Sequence, residues 1–413
     1  MPTPLTVNVA RSAHRRLWRH VPHWLRREAL FRLTSALAPR PSPKALAVTP
    51  IIVAGALSTA SGLGQSARLC HEALRLAGAK VFGIDLSADL MQPQDISGFT
   101  FDDGRARLGT GTLILHVNAP FVPLALWRLG ARFLCDKRIA GYWAWELPKL
   151  PADWRHGMPF VHDILVPSRF VADAVRPLSG GRPVHVLPHA VMAERPHAPR
   201  PPGQPFTVLT IFNAASSIAR KNPAASIDAF RLAFGGDPTA RLIVKVANLN
   251  SCKDAESVIK QAVGTAETIS VIDGVMSEPE IDVLYQRADC VLSLHRSEGF
   301  GLVLAEAMAR GIPVVATDWS GNVDFLTHAT GCPVPFRLVP AADPQHTYNH
   351  PGMLWAEPDV AQAAQCLRQL RDEPDKAARL GENAARFAVY HWNALSYVDT
   401  LKTVLGLSKA TLE

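Results

Sequence analysis

The chain has 413 residues, 48% of them apolar and 19% charged, with a formal net charge of +7. That length exceeds one ordinary core, so two domains are expected. No apolar run approaches the ~18 residues of a membrane span, which excludes an integral membrane protein, and six cysteines standing singly with no C-x-x-C pair argue against a disulfide framework or zinc knuckle.

In chain order, the first feature is a basic arm. Residues 1–45 hold nine Arg or Lys and one acid, Glu28, which leaves the remainder close to neutral. A nucleic-acid-binding body would carry a basic stripe of its own, and none follows residue 45, so no nucleic-acid partner is expected. The start MPTPLTVNVARSAHRRLW has no continuous apolar stretch of the secretory kind, and together with the single cysteines this predicts a cytoplasmic, reducing location. Within the arm, HWLRREALFRLTSALA places Leu25, Ala29, Leu33 and Leu37 at helical spacing, with Arg26, Arg27 and Arg32 elsewhere and Trp18 and Trp24 nearby. It predicts an interfacial helix on an anionic membrane face; packing against the body, or an organellar targeting peptide, are the alternatives.

Residues 46–190 alternate short apolar runs with helix-like stretches: IIVAGAL, ARLCHEALRLAG, KVFGID, LILHV, IAGYWAWE, DILVPS and VHVLPH. That rhythm predicts βαβ units and a parallel sheet covered on both faces. Between the first two runs lies SGLGQSA, with Asp85 21 residues after Gly64, which fits a dinucleotide turn. Yet Gly62 comes five residues after IIVAGAL, whereas a dinucleotide turn puts its first glycine at the strand end. The loop therefore suits bridging a cleft, with Gly62 and Gly64 approaching a phosphate or an acceptor, better than it suits a dehydrogenase. Residues 191–206 hold five prolines without periodicity and mark a linker.

The rhythm restarts over residues 207–385 with FTVLTIF, a helix from Asn222, RLIVKVAN, TISVIDG, a helix from Ser277, DCVLSLH, a helix from Gly301 and IPVVAT; residues 386–413 read as a C-terminal helix. Asn222 before Pro223 predicts an N-cap, and Ser277 with Glu280 a capping box. The decisive segment is Asp289 to Asn322, DCVLSLHRSEGFGLVLAEAMARGIPVVATDWSGN. A strand enters the turn Glu298, Gly299, Phe300, Gly301, and a helix from Leu302 carries Glu306. Two glycines and a helix start suit a diphosphate. Glu306, the charged residue of an otherwise apolar helix face, needs donors, and adjacent ribose hydroxyls supply two. Glu298, at the mouth of the turn, would face whatever hangs beyond the phosphates.

E-G-F-G-L-V-L-A-E, with ARKNP (Ala219 to Pro223) and G-I-P-V-V-A-T, closely resembles the retaining family 4 glycosyltransferases. The resemblance implies the α/β GT-B fold, two Rossmann-like domains facing across a cleft. It further implies that Glu298 and the turn from Gly299 through Phe300 and Gly301 to Leu302 hold the donor sugar and β-phosphate, that Glu306 holds the ribose, and that Arg220 with Lys221 neutralises the diphosphate. With no Asp-x-Asp pair or His/Cys cluster visible, no metal or other cofactor is expected, and fixed cations stabilise the leaving group. Two departures stand out: Phe212-Asn213 where many members have Gly-Arg, and YWAWELP where many have a sugar-site His. Trp145 and Glu146 either take over from that His, by stacking on a sugar and binding its hydroxyls, or are packed aromatics beside a structural glutamate. His116 and His189 could line the cleft or be satisfied in the core, and Lys245 could face phosphate or a neighbouring acid. YWAWELP and VATDWSGNVDF resemble bacterial polysaccharide mannosyltransferases. The implied reaction is retaining transfer of a hexose, mannose first and glucose next, from a nucleotide diphosphate sugar to a saccharide or lipid-linked acceptor in polysaccharide synthesis. A nucleotide-sugar 2-epimerase on the same fold and a non-catalytic saccharide-binding module are the rivals.

Overall fold

The computed structural model describes residues 23–192, 197, 200–251 and 254–407. The expectations for residues 1–22, Trp18 among them, and for much of the proline-rich stretch lie outside the described residues.

β1 (Ile51–Gly55), β2 (Val81–Asp85), β3 (Gly111–His116), β4 (Lys137–Tyr142), β5 (Asp163–Val166) and β6 (Val184–Val186) form a parallel sheet in the order β2-β1-β3-β4-β5-β6. β7 (Phe206–Asn213), β8 (Ala240–Ala247), β9 (Ile269–Asp273), β10 (Cys290–Ser293), β11 (Val314–Thr317) and β12 (Cys332–Val334) form a second one, β12-β11-β10-β7-β8-β9. Each order reverses once, between β1 and β3 and between β7 and β10, and open α/β sheets bind ligands in the crevice that such a reversal opens at the carboxyl ends of the strands.

The central strands read as continuous apolar runs because both faces are covered: every residue of β1 and β3 is buried. Alternation then sorts side chains between two cores. Ile52 and Ala54 join the layer containing Trp143, Trp145 and Trp154, while Ile51 and Val53 join the layer of the Gly62–Leu76 helix. That second layer also takes Tyr397, Val398 and Leu401 from the Ala394–Leu405 helix. The preceding helix, Pro374–His391, packs Ala384 and Ala388 on the second domain, so the chain crosses back at Trp392. Asn393 opens the returning helix by accepting from the Ser396 amide at 2.9 Å. An antiparallel hairpin, β13 (Phe336–Pro340) and β14 (Leu354–Pro358), follows β12 and was not legible in the sequence. Its Met353 and Trp355 and its tip residue Tyr348 are buried in the first domain's tryptophan layer. Among the described residues no helix is long and apolar enough to cross a membrane.

Local signals hold with two corrections. Glu280 accepts from the Ser277 amide at 2.8 Å, completing the capping box. Asn222 does sit before the Pro223–Phe234 helix, but in the left-handed region (φ 50°) with its side chain donating to Leu294 O at 3.0 Å, so it caps nothing. In SGLGQSA, Gly62 faces the cleft while Gly64 is turned inward: a Cβ at Gly64 would lie 2.5 Å from Thr59 O and 2.6 Å from Ala56 O. Gly64 is thus demanded by its own turn and not by ligand approach. A Cβ at Gly62 would meet nothing within 4 Å. Gly64→Ala is therefore expected to cost roughly 1 to 3 kcal/mol, and Gly62→Ala to be neutral or stabilise by up to about 1 kcal/mol, since it enters a helix. Urea unfolding of both variants checks this, and equal losses would contradict it.

Candidate active site

A cleft of about 1240 Å³ lies between the carboxyl ends of the two sheets, with Gly62, His116, Glu146, Arg220, Lys221, Glu298, Gly299, Phe300, Gly301, Leu302 and Glu306 on its walls. Six separate stretches of sequence are thus brought to one surface; Gly64 is absent from it.

The second domain supplies the charge. β10 runs into the 294–301 loop, and Gly301, at φ 98°, turns it into the Leu302–Ala309 helix, whose start brings unpaired amide donors and partial positive charge to the cleft. Gly299 packs closely on Trp145, where a Cβ would come a tight 3.2 Å from the carbonyl oxygen, and its own carbonyl accepts from Ser168 Oγ at 2.6 Å. The Phe300 ring is buried against His189, Phe325 and Trp392, so only its backbone is available to a ligand.

Glu298 accepts from Lys221 Nζ at 2.5 Å and lies 3.2 Å from Arg220 Nη1. Burial alone would raise its carboxyl, but Lys221 and Arg220 outweigh burial and hold it at about 2. Arg220 is also tied to Ser297 O (2.8 Å) and twice to Ser216 O, with its side chain 3% exposed. It cannot swing freely, and Lys221, 18% exposed, is the more accessible cation. Both stand on a turn that strains the backbone, since Ser217 sits at φ 68°, a conformation that costs about 1 to 3 kcal/mol unless its surroundings impose it. Here the Ser217 hydroxyl donates to Asp343 at 2.8 Å and accepts from the Arg220 amide at 3.2 Å.

Glu306 accepts a hydrogen bond from the Tyr285 hydroxyl at 2.8 Å on Oε2, and burial, only partly opposed by Tyr285, pushes its carboxyl up. Tyr285 in turn carries Arg310 over its ring at 4.5 Å, with Arg310 paired to Asp282 at 2.9 Å. Sequence reasoning missed Tyr285, Ser168 and Tyr348; of these only Ser168, opening the Arg169–Val175 helix after DILVPS, carried a local signal, that of an N-cap.

In the first domain YWAWELP divides. Glu146 faces the cleft, its Oε2 accepting from Tyr348 Oη at 2.8 Å. Trp145 does not: its ring packs on Trp154 and Tyr348 and its Nε1 donates to Lys149 O, so it is a core residue and no stacking platform. His116 and His189 reach the cleft wall and both contact Tyr142, the first stacked on it at 4.6 Å and the second tilted at 5.4 Å. Burial drives His189 down to about 3 and His116 well below its ordinary value, so both are neutral. Lys245 does not line the cleft; its Nζ donates to the carbonyls of Val246 and Gly274, and the acids Asp273 and Glu280 act on its charge. Asn213, standing where Arg is common in the resembled family, caps the Ala215 amide and reaches Ala60 O across the cleft at 3.1 Å. No cluster of His, Cys, Asp or Glu able to hold a metal occurs among the described residues.

Residues 207–387 match the family of glycosyl transferases group 1. A D-inositol 3-phosphate glycosyltransferase of Thermobispora bispora is 30% identical over 134 residues, 31% of this chain; the matched stretch spans only 27% of that relative. HepE of Anabaena, solved with UDP and glucose, superposes with a TM-score of 0.61 at 15% identity over 86% of this chain and 99% of its own. Sucrose-phosphate synthase of Thermosynechococcus elongatus gives 0.61 at 16% identity over 87% and 99%. At such identities the likeness is one of architecture, and the chain has the GT-B fold.

The charge cluster makes stability depend on pH. Glu298 falls from an ordinary 4.5 to about 2, which at ~1.4 kcal/mol per pH unit corresponds to about 3 kcal/mol. Because the folded value is depressed, that stability is present above about pH 5 and lost as pH falls toward 2. Glu298→Gln should therefore be less stable than the parent at neutral pH, with the gap narrowing from about pH 5 down toward pH 2 in denaturant titrations; a gap that stays constant would refute the pairing.

Proposed function

We propose that this protein is a retaining glycosyltransferase that moves a hexose from a nucleotide diphosphate sugar to a saccharide or lipid-linked saccharide during polysaccharide synthesis. The observation that carries the reading is the wall of the cleft formed by Lys221, Glu298, the Gly301 turn and Glu306, on the domain that matches group 1 glycosyl transferases and whose strand order reverses there. In this reading Glu306 takes the ribose hydroxyls with the carboxylate oxygen that Tyr285 leaves free. The helix start and Lys221 take the diphosphate. Glu298 and the Gly299 to Gly301 amides meet the sugar, and Glu146 faces it from the other domain.

The chemistry follows from charge. A departing nucleoside diphosphate gains negative charge, and fixed cations with a helix dipole stabilise it without rearranging, so no divalent metal is required. Glu298 is held ionised by two cations, which makes it an acceptor for sugar hydroxyls and a poor nucleophile. We therefore favour front-face attack through an oxocarbenium-like state, with the leaving phosphate accepting the acceptor's proton. GDP-mannose and UDP-glucose are the donors to test first. The resemblance of YWAWELP and VATDWSGNVDF favours mannose, and the UDP and glucose bound by HepE favour the other.

The arm supports a place for the reaction. The His23–Leu37 helix packs inward through Phe31 and Thr34, 1% and 2% exposed, with Arg27 paired to Asp153 at 2.7 Å. Outward it presents the stripe Leu25, Ala29, Leu33 and Leu37, with Leu33 58% exposed and Arg32 alongside. Packing on the body and contact with an anionic leaflet are then compatible uses of two faces of one helix.

Two experiments test these readings. Nucleotide sugars are screened with and without EDTA, following sugar transfer by mass spectrometry and nucleotide binding by calorimetry. Transfer is expected to survive EDTA, UDP or GDP to bind where NADH does not, and Glu306→Ala to weaken nucleotide binding by about 10- to 100-fold. NADH binding alone, or transfer that needs added Mg²⁺, would overturn the mechanism. For attachment, the full chain should sediment with anionic liposomes at low salt and be released at high salt, and Leu33→Glu/Leu37→Glu should abolish sedimentation without unfolding the protein. Sedimentation unchanged by that pair would remove the arm's outer face from the account.

A further inference from the structure

The hairpin β13–β14 belongs to the second domain by sequence and to the first by packing. Its tip, residues 341–353, reaches both walls of the cleft. On one side Asp343, 1% exposed, accepts from Ser217 Oγ at 2.8 Å and from the amides of Gln345, Thr347 and Tyr348. Gln345 accepts from the Ile218 amide at 2.7 Å and donates to Ala214 O at 3.1 Å. Those bonds bracket the strained turn that carries Arg220 and Lys221. On the other side the Tyr348 ring packs on Trp145 at 5.4 Å, and its hydroxyl donates to Glu146 Oε2 at 2.8 Å. Arg220 lies over the same ring, its Cζ 5.4 Å from the centroid.

One buried side chain thus touches the cation of one domain and the cleft-facing carboxylate of the other. A carboxylate on a loop has several rotamers, and a buried donor on one oxygen leaves one orientation, with the second oxygen free for a ligand. Tyr348 is 5% exposed, and its ring contacts would be kept by phenylalanine, so the hydroxyl can be removed alone.

We propose that Tyr348 is a positioning residue for transfer: its hydroxyl orients Glu146 toward the sugar, and the tip from Asp343 to Tyr348 fixes that carboxylate relative to the Arg220 turn across the cleft. This rests on the glycosyltransferase reading. It predicts that Tyr348 acts through Glu146 on the sugar and not on the nucleotide.

The test is a double-mutant cycle on the full chain with Tyr348→Phe, Glu146→Ala and both, measuring kcat and KM for transfer and the Kd of the nucleoside diphosphate. Tyr348→Phe should lower kcat by about 10- to 100-fold, the worth of one charge-assisted hydrogen bond, while the nucleotide Kd stays within about twofold. In the Glu146→Ala background it should cost almost nothing further. Wild-type kcat in Tyr348→Phe, or losses that add fully in the double variant, would overturn the inference and leave the glycosyltransferase reading intact. Failure of the parent chain to bind any nucleoside diphosphate would overturn that reading and this inference together. A Tyr348→Phe whose nucleotide Kd rises by as large a factor as its kcat falls would mark the hydroxyl as a general structural support and also overturn it.

Discussion

A buried carboxylate held between two cations is the constraint on which this structure turns. Glu298 is removed from water at the point where the second sheet's strand order reverses, and a lone charge there would be untenable. Lys221 and Arg220 make it tolerable, and each requirement propagates outward. To bring two successive residues against one carboxylate, the 214–222 turn adopts left-handed φ at Ser217 and Asn222. To keep those conformations, the turn borrows Asp343 from the hairpin tip and Leu294 from the neighbouring loop.

The same arrangement sets Lys221 and Arg220 beside the cleft before any ligand arrives. Two cations share one carboxylate, and the Leu302–Ala309 helix adds its own dipole. Donors held this way need not reorient when negative charge appears beside them. Glu306 has different neighbours: it accepts from one phenol, and burial raises its carboxyl against the partial opposition of Tyr285 and the Arg310 charge, which suits hydroxyl donors better than a phosphate. The contrast between the two glutamates comes entirely from their neighbours.

The domains are joined by polar bonds that are few and specific. Ser168 reaches Gly299 O at 2.6 Å, Arg169 pairs with Asp324 at 2.9 Å, and Asn213 reaches Ala60 O at 3.1 Å. Beside these stand two apolar exchanges, in which the hairpin tip enters the first domain's tryptophan layer and the last helix returns to cover β1. Segments that follow the second sheet in sequence therefore complete the first domain's cores, and the cleft is the gap left between the domains.

Much of this was legible in the amino-acid order because its causes are local. Continuous apolar runs such as IIVAG and TLILH, bounded by turn signals, read as strands covered on both faces, and the spacing of Glu298 and Glu306 around a glycine turn puts one just before the helix and the other in its second turn. What tertiary structure alone decided has long-range causes. Trp145 and Glu146 are neighbours in sequence with equal claim to the sugar, and only the arrival of Tyr348, 202 positions beyond Glu146, sends one into the core and leaves the other in the cleft. Gly64 reads as a ligand-binding glycine until the carbonyls of Ala56 and Thr59 are seen to occupy the space of its missing Cβ. The leucine stripe of the arm has the same pattern whether it faces protein or solvent, since periodicity defines a face but not its partner; the body claims the opposite face, through Phe31 and Thr34, and leaves the leucines outside.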